Sequence, residues 1–155
     1  MDHNTYLKLD GRGMRIAVVR ARFNEEITKG LLDGALEVLR DAGIFYIEIV
    51  EVPGSFEIPI AAETLARRGG LDAVVCLGAV IKGATPHFHY ISSSCSRGLT
   101  DVAVRHGLPI SFGVITAENS TQARERSGSG EMNRGREAAA AALEMAAKVR
   151  EIRGT

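Results

Sequence analysis

The segment Leu77-Gly78-Ala79-Val80-Ile81-Lys82-Gly83-Ala84-Thr85-Pro86-His87 places an apolar run, a glycine turn, a helix-starting dipeptide and a histidine in immediate succession. The strand reads Asp72-Ala73-Val74-Val75-Cys76-Leu77 and suits burial on both faces; such strands in open parallel sheets hold ligands at their carboxyl ends. Gly83 lets backbone and ligand approach closely. Thr85 is a favoured N-cap and Pro86 a favoured first helical residue, so the sequence predicts a helix whose unpaired N–H groups and partial positive charge face an anion. His87 lies in the same field, which opposes imidazolium and leaves an imidazole able to accept a proton. The chemistry that suits this pattern is proton transfer beside a bound anion. A surface histidine next to an ordinary cap fits the same residues, because glycine-rich strand-to-helix turns are weakly specific.

The elements that must position these residues follow from periodicity. After a short segment, Thr5 to Leu9, and a Gly11-Arg12-Gly13 turn, Met14 to Val19 reads as the first full strand. Asn24 offers an N-cap, and Ile27, Leu31, Ala35, Val38, Leu39 and Ala42 recur at helical spacing up to Gly43. Phe45 to Val52 reads as the second strand; Pro53-Gly54-Ser55 turns into a helix around Ile58 to Arg68, stopped by Gly69-Gly70. The third strand and the glycine turn lead into a long helix from Pro86 to about Val104, closed at Gly107. Ile110 to Thr116 is the fourth strand, followed by a short helix near Thr121 to Arg126, a glycine-rich loop, and a last helix over Ala138 to Val149. This alternation predicts an α/β fold: a three-layer α/β/α sandwich with a four-stranded parallel sheet and right-handed crossovers, plus a short N-terminal strand. The loops after the four strands converge on one edge of the sheet.

At 155 residues the chain fits a single domain, 1–155, with a core that needs neither disulfides nor metal. Lys+Arg and Asp+Glu each count 19, which argues against a nucleic-acid partner and points to a small molecule. Cys76 and Cys95 lack the spacing of a zinc site or a redox pair and read as reduced structural thiols of a cytoplasmic protein. No stretch approaches the roughly 18 apolar residues of a membrane span, and Met1-Asp2-His3-Asn4 lacks a signal pattern.

Arg22-Phe23-Asn24, Val52-Pro53-Gly54-Ser55-Phe56-Glu57-Ile58-Pro59, Gly83-Ala84-Thr85-Pro86-His87-Phe88, Phe112-Gly113-Val114-Ile115-Thr116 and Gln122-Ala123-Arg124-Glu125-Arg126 resemble, in order and spacing, the lumazine synthases, from about Met14 to Met145. The resemblance implies a flavodoxin-like fold and a transferase of riboflavin biosynthesis. Such an enzyme condenses 5-amino-6-(D-ribitylamino)uracil with 3,4-dihydroxy-2-butanone 4-phosphate, releasing water and phosphate, with no metal or organic cofactor. By position, Phe23 would stack on the pyrimidinedione, Ser55, Phe56 and Glu57 would bind near the ring and ribityl chain, and Ala79, Val80 and Ile81 would hold the ring edge through their backbone. Ala84 and Thr85 would approach the phosphate, Arg126 would pair with it, and His87 would move protons. The resemblance places Phe112 and Arg126 in a neighbouring subunit's site and implies a homo-oligomer, either a pentamer or a shell of twelve pentamers, with riboflavin synthase as a further candidate partner.

Each residue has a plainer reading. Phe23 and Phe112 suit core positions, Glu57 suits a helix start, Thr85 caps with or without a ligand, and Arg22, Arg124 and Arg134 rival Arg126 for an anion. The sequence also departs from the family pattern. His89 stands where an acidic residue is usual, Lys82 where arginine is common, and Gly130 and Arg134 where lysine is common. His87 and His89, two apart on a helix, point in different directions and do not form a metal pair. By the same resemblance, the short connection Ser127 to Gly135 implies the shell, while Gly128 and Gly130 predict a flexible backbone that weakens pentamer contacts. Two rivals carry other functions: a riboflavin synthase, which would convert the lumazine alone, and a non-catalytic flavin-binding or shell protein.

Overall fold

A computed structural model of the chain describes residues 9–155. Its strands are β1 (Arg15–Ala21), β2 (Tyr46–Val52), β3 (Ala73–Ile81) and β4 (Ile110–Ala117). Its helices are α1 (Glu25–Asp41), α2 (Ile58–Arg68), α3 (His87–His106), α4 (Ser120–Glu125) and α5 (Arg134–Arg153), with a 3-10 turn at Ser55–Glu57. All four strands are parallel, in the order β2-β1-β3-β4. The expected N-terminal strand, Thr5 to Leu9, falls almost entirely outside the described residues.

Alternation along the two central strands sorts the core into two layers. Ile16 and Val18 of β1 and Val75 and Leu77 of β3 pack with α1 and α5 on one face. Ala17, Val19, Val74 and Cys76 pack with α2 and α3 on the other. The helices therefore cover both faces of a sheet that is buried along β1 from Ile16 onward and along β3 as far as Val80. Cys76 and Cys95 are buried and unbridged; burial raises both thiols, Cys95 to about 12, so neither is a nucleophile at neutral pH.

Several boundaries differ from the sequence expectation. β3 does not stop at Leu77: Gly78 to Ile81 continue the strand because β4 pairs with them as far as Ile81 opposite Ala117. α5 begins four residues before Ala138, where Asn133 caps it by accepting from the N–H groups of Gly135 (2.8 Å) and Arg136 (3.2 Å). The same Asn133 donates through Nδ2 to the carbonyls of Gly30, Ser127 and Gly128. The connection expected to be flexible is therefore tied at both ends and to α1 by one buried side chain.

Candidate active site

The carboxyl ends of β1, β2 and β3 and the start of α3 enclose a cavity of about 890 Å³. Phe23 and Asn24 line it from the loop after β1, Ser55, Phe56 and Glu57 from the turn after β2, Ala79, Val80 and Ile81 from β3, and Gly83, Thr85 and His87 from the approach to α3. This is the switch point of the sheet, where the chain leaves β1 toward one face and β3 toward the other and the strand ends separate. Ala84 does not line the cavity, although both its neighbours do.

Phe23 is 71% exposed, so its ring is presented to ligand instead of sealing the core. Glu57 occupies the N-cap position of α2 yet makes no side-chain cap hydrogen bond, which leaves its carboxylate to the cavity. Ser55 is buried, and Gly78 makes the room for it, since a Cβ at that position would stand 2.5 Å from Ser55 Oγ.

Two expected helix caps are not formed. Thr85 does not cap α3: the helix opens one residue later than expected, with Pro86 in the cap position and no side-chain cap, and the His89 N–H returns to the Pro86 carbonyl at 3.0 Å in a tight turn. The Thr85 hydroxyl has no partner among the described residues. Asn24 does not cap α1 either: it adopts φ 60°, ψ 54°, and its Nδ2 donates to the Ala79 carbonyl at 2.9 Å. His87 is the first residue of α3, exposed at the cavity wall.

Phe112 and Arg126 are elsewhere. They line a second, open groove of about 540 Å³ along β4 and the start of α5, together with Arg134 and Glu137. Phe112 is 46% exposed on this edge strand and so is not a core residue. Arg126 Nη1 donates to the Thr116 carbonyl at 2.8 Å and has no carboxylate partner among the described residues. Its rivals are less available: Arg134 pairs with Glu137 at 2.7 Å, and Arg124 lies 3.6 Å from Glu26 and lines neither cavity. Arg22 lines neither cavity. Lys82 is engaged with Glu118 at 3.4 Å.

The family model for 6,7-dimethyl-8-ribityllumazine synthase matches residues 13–150. The chain belongs to the lumazine synthase family. It is 46% identical over 153 residues to the 6,7-dimethyl-8-ribityllumazine synthase of Kineococcus radiotolerans, covering 97% of this chain and 94% of that protein. It is 45% identical over 151 residues to the enzyme of the same name from Renibacterium salmoninarum, covering 92% and 94%. Its reaction is thus the condensation of ribitylaminouracil with butanone phosphate in riboflavin biosynthesis, a transferase activity. Among the described residues no helix is long and apolar enough to cross a membrane, and no His, Cys, Asp and Glu side chains cluster as a metal site would require.

The cavity wall suits the substrates of a lumazine synthase. It is largely apolar and aromatic with a few polar groups, as a planar heterocycle requires. Residues absent from the sequence expectation also line it: Asn24, Tyr90, Ile91 and Ser94. The last three follow His87 at i+3, i+4 and i+7, one face of α3, so helical spacing alone would have found them.

Proposed function

We propose that the twelve residues read from the sequence act in one composite site, with His87 and the β1–β3 loops given by one subunit and Phe112 and Arg126 by its neighbour. One observation carries this reading: the cavity lining includes neither lysine nor arginine, although one substrate is a phosphate ester, and Arg126 lies in a separate groove on the free edge of the sheet. A neighbour's β4 edge laid over the cavity supplies the missing charge and a second aromatic face.

In this site Phe23 and the partner subunit's Phe112 flank the pyrimidinedione, the backbone of Ala79, Val80 and Ile81 grips its edge, and Ser55, Phe56 and Glu57 hold the ring and ribityl chain. Ala84, Thr85 and the N-terminus of α3 meet the phosphate from one side and the partner subunit's Arg126 from the other. The substrate amine attacks the ketone carbon, and water leaves as the imine forms. His87 relays the protons, taking one from the carbon beside the imine as the C–O bond to phosphate breaks. The departing phosphate carries its electron pair into the field of the partner subunit's Arg126 and the helix terminus, the enol left behind tautomerises to a ketone, and the ribitylamino nitrogen attacks that ketone with loss of a second water to close the lumazine ring.

The single domain, 1–155, assembles in the cytoplasm as a pentamer and, through the short Ser127–Gly135 connection held by Asn133, as a shell of twelve pentamers, about 60 subunits. Light scattering with size-exclusion chromatography tests the assembly. A mass near 60 subunits is expected; five or ten subunits would overturn the shell, and a monomer that turns over both substrates would overturn the shared site.

A further inference from the structure

β1 and β3 part at the cavity. Their ladder ends at Arg20 opposite Leu77, after which the chain bonds to the end of β2: the Arg22 N–H donates to the Val52 carbonyl at 2.8 Å and the Phe23 N–H to the Pro53 carbonyl at 2.9 Å. β3 runs on to Ile81, held on its other side by β4. The Ala79 carbonyl has no partner from β1, whose ladder is over. The Asn24 side chain takes that place, its Nδ2 donating at 2.9 Å across a crevice that no backbone bond spans at this level. Since the partner is a carbonyl, the amide must present nitrogen there.

The backbone of Asn24 bears the cost of this reach. It is the one non-glycine residue with positive φ among those described, a conformation asparagine tolerates better than most side chains. Its own helix gains no side-chain cap from it. The residue thus gives up capping and accepts a left-handed turn to bond a strand 55 positions away.

We propose that Asn24 is a positioning residue for the pyrimidine substrate. Its amide ties the loop that presents Phe23 to the Ala79–Ile81 backbone and so sets the separation between the stacking ring and the groups that grip the heterocycle's edge. The inference rests on the lumazine synthase reading of this cavity. The phosphate end of the site, at the start of α3, does not depend on this bond.

Asn24→Gly keeps the left-handed backbone and removes the amide; Asn24→Asp keeps the shape and sets a carboxylate against a carbonyl. In Asn24→Gly the Michaelis constant for ribitylaminouracil is expected to rise about five- to tenfold, and further in Asn24→Asp, with the constant for butanone phosphate held within about twofold. Unchanged constants with only a loss of thermal stability or active fraction, or an equal rise for both substrates, would overturn the proposal. If the wild-type protein formed no lumazine, the family's reaction would fail for this chain. Asn24 would then be read by titrating ribitylaminouracil alone by its absorbance, where a wild-type Kd in both variants would overturn the proposal.

Discussion

Gly78→Ala tests whether β3 is built around Ser55. Gly78 lies within β3 opposite Val114 of β4, and an added Cβ would stand 2.5 Å from Ser55 Oγ, 3.3 Å from Ile58 Cδ1 and 3.4 Å from Val114 Cγ1. The first separation forces movement; the other two are tight contacts that a few tenths of an ångström relieve. Ser55 Oγ ends a short side chain with other staggered positions, so the stability loss should fall near the low end of overpacking, about 1 kcal/mol. The functional loss is separate. A rotated Ser55 no longer offers its hydroxyl to ligand, and one net hydrogen bond of about 0.5 to 1.5 kcal/mol corresponds to roughly a two- to tenfold rise in the Michaelis constant for ribitylaminouracil. Steady-state kinetics with both substrates varied, beside urea denaturation, reads the two effects independently. Ser55→Ala should reproduce the kinetic loss without the loss of stability, and adding Gly78→Ala to Ser55→Ala should change the kinetics little, because the two act on one hydroxyl. A Gly78→Ala protein with wild-type kinetics, or one that loses as much again in the Ser55→Ala background, would refute the reasoning.

Other outcomes follow from the same structure. Gly135→Ala would drive a Cβ into the Leu31 carbonyl, a backbone group that no rotamer change can move aside, and should cost about 3 kcal/mol or more in denaturant unfolding; a loss below about 1 kcal/mol would show that α1 and α5 slide apart freely. His87→Ala should slow condensation by up to about 10²- to 10⁴-fold while the mass by light scattering stays that of wild type, and wild-type turnover at saturating substrates would remove His87 from the mechanism. Arg126→Ala should raise the Michaelis constant for butanone phosphate about tenfold or more and lower turnover, with ribitylaminouracil little affected; equal weakening toward both would mark a structural arginine. Hydrogen bonding from Arg68 holds the Glu48 carboxyl below its ordinary 4.5. Its contribution to stability is therefore full above pH 4.5 and lost as the pH falls through the lowered value. Glu48→Gln should accordingly unfold earlier than wild type at pH 7, with the gap closing in acid; a gap that widens in acid would reverse the assignment.

What was legible in the sequence is what neighbouring residues decide. α2 runs from Ile58 to Arg68 as expected because Pro53-Gly54-Ser55 and Gly69-Gly70 punctuate it by backbone chemistry alone. α3 closes at Gly107, which takes the left-handed conformation that ends helices. Most of the residues expected to meet substrate line one cavity, since loops after parallel strands share an edge. The misreadings come from partners far along the chain. Gly78 looks like a turn until β4 supplies a ladder beside it, and Asn24 looks like a cap until Ala79 presents a carbonyl without a strand. Gly128 and Gly130 look loose until Asn133 gathers the carbonyls around them. The separation of Phe112 and Arg126 from the cavity has no local signature, because it concerns which edge of the sheet each residue occupies.

Co-expression of His87→Ala and Arg126→Ala chains tests the composite site most directly. Each variant alone has every site damaged. In a mixed ring, a cavity from an Arg126→Ala chain meets a groove from a His87→Ala chain at about a quarter of the interfaces, and each such interface is intact. Lumazine formation well above the average of the two separate variants, approaching a quarter of wild-type activity, is the predicted result. Activity no greater than that average, from particles shown by mass spectrometry to contain both chains, would contradict a site shared between subunits.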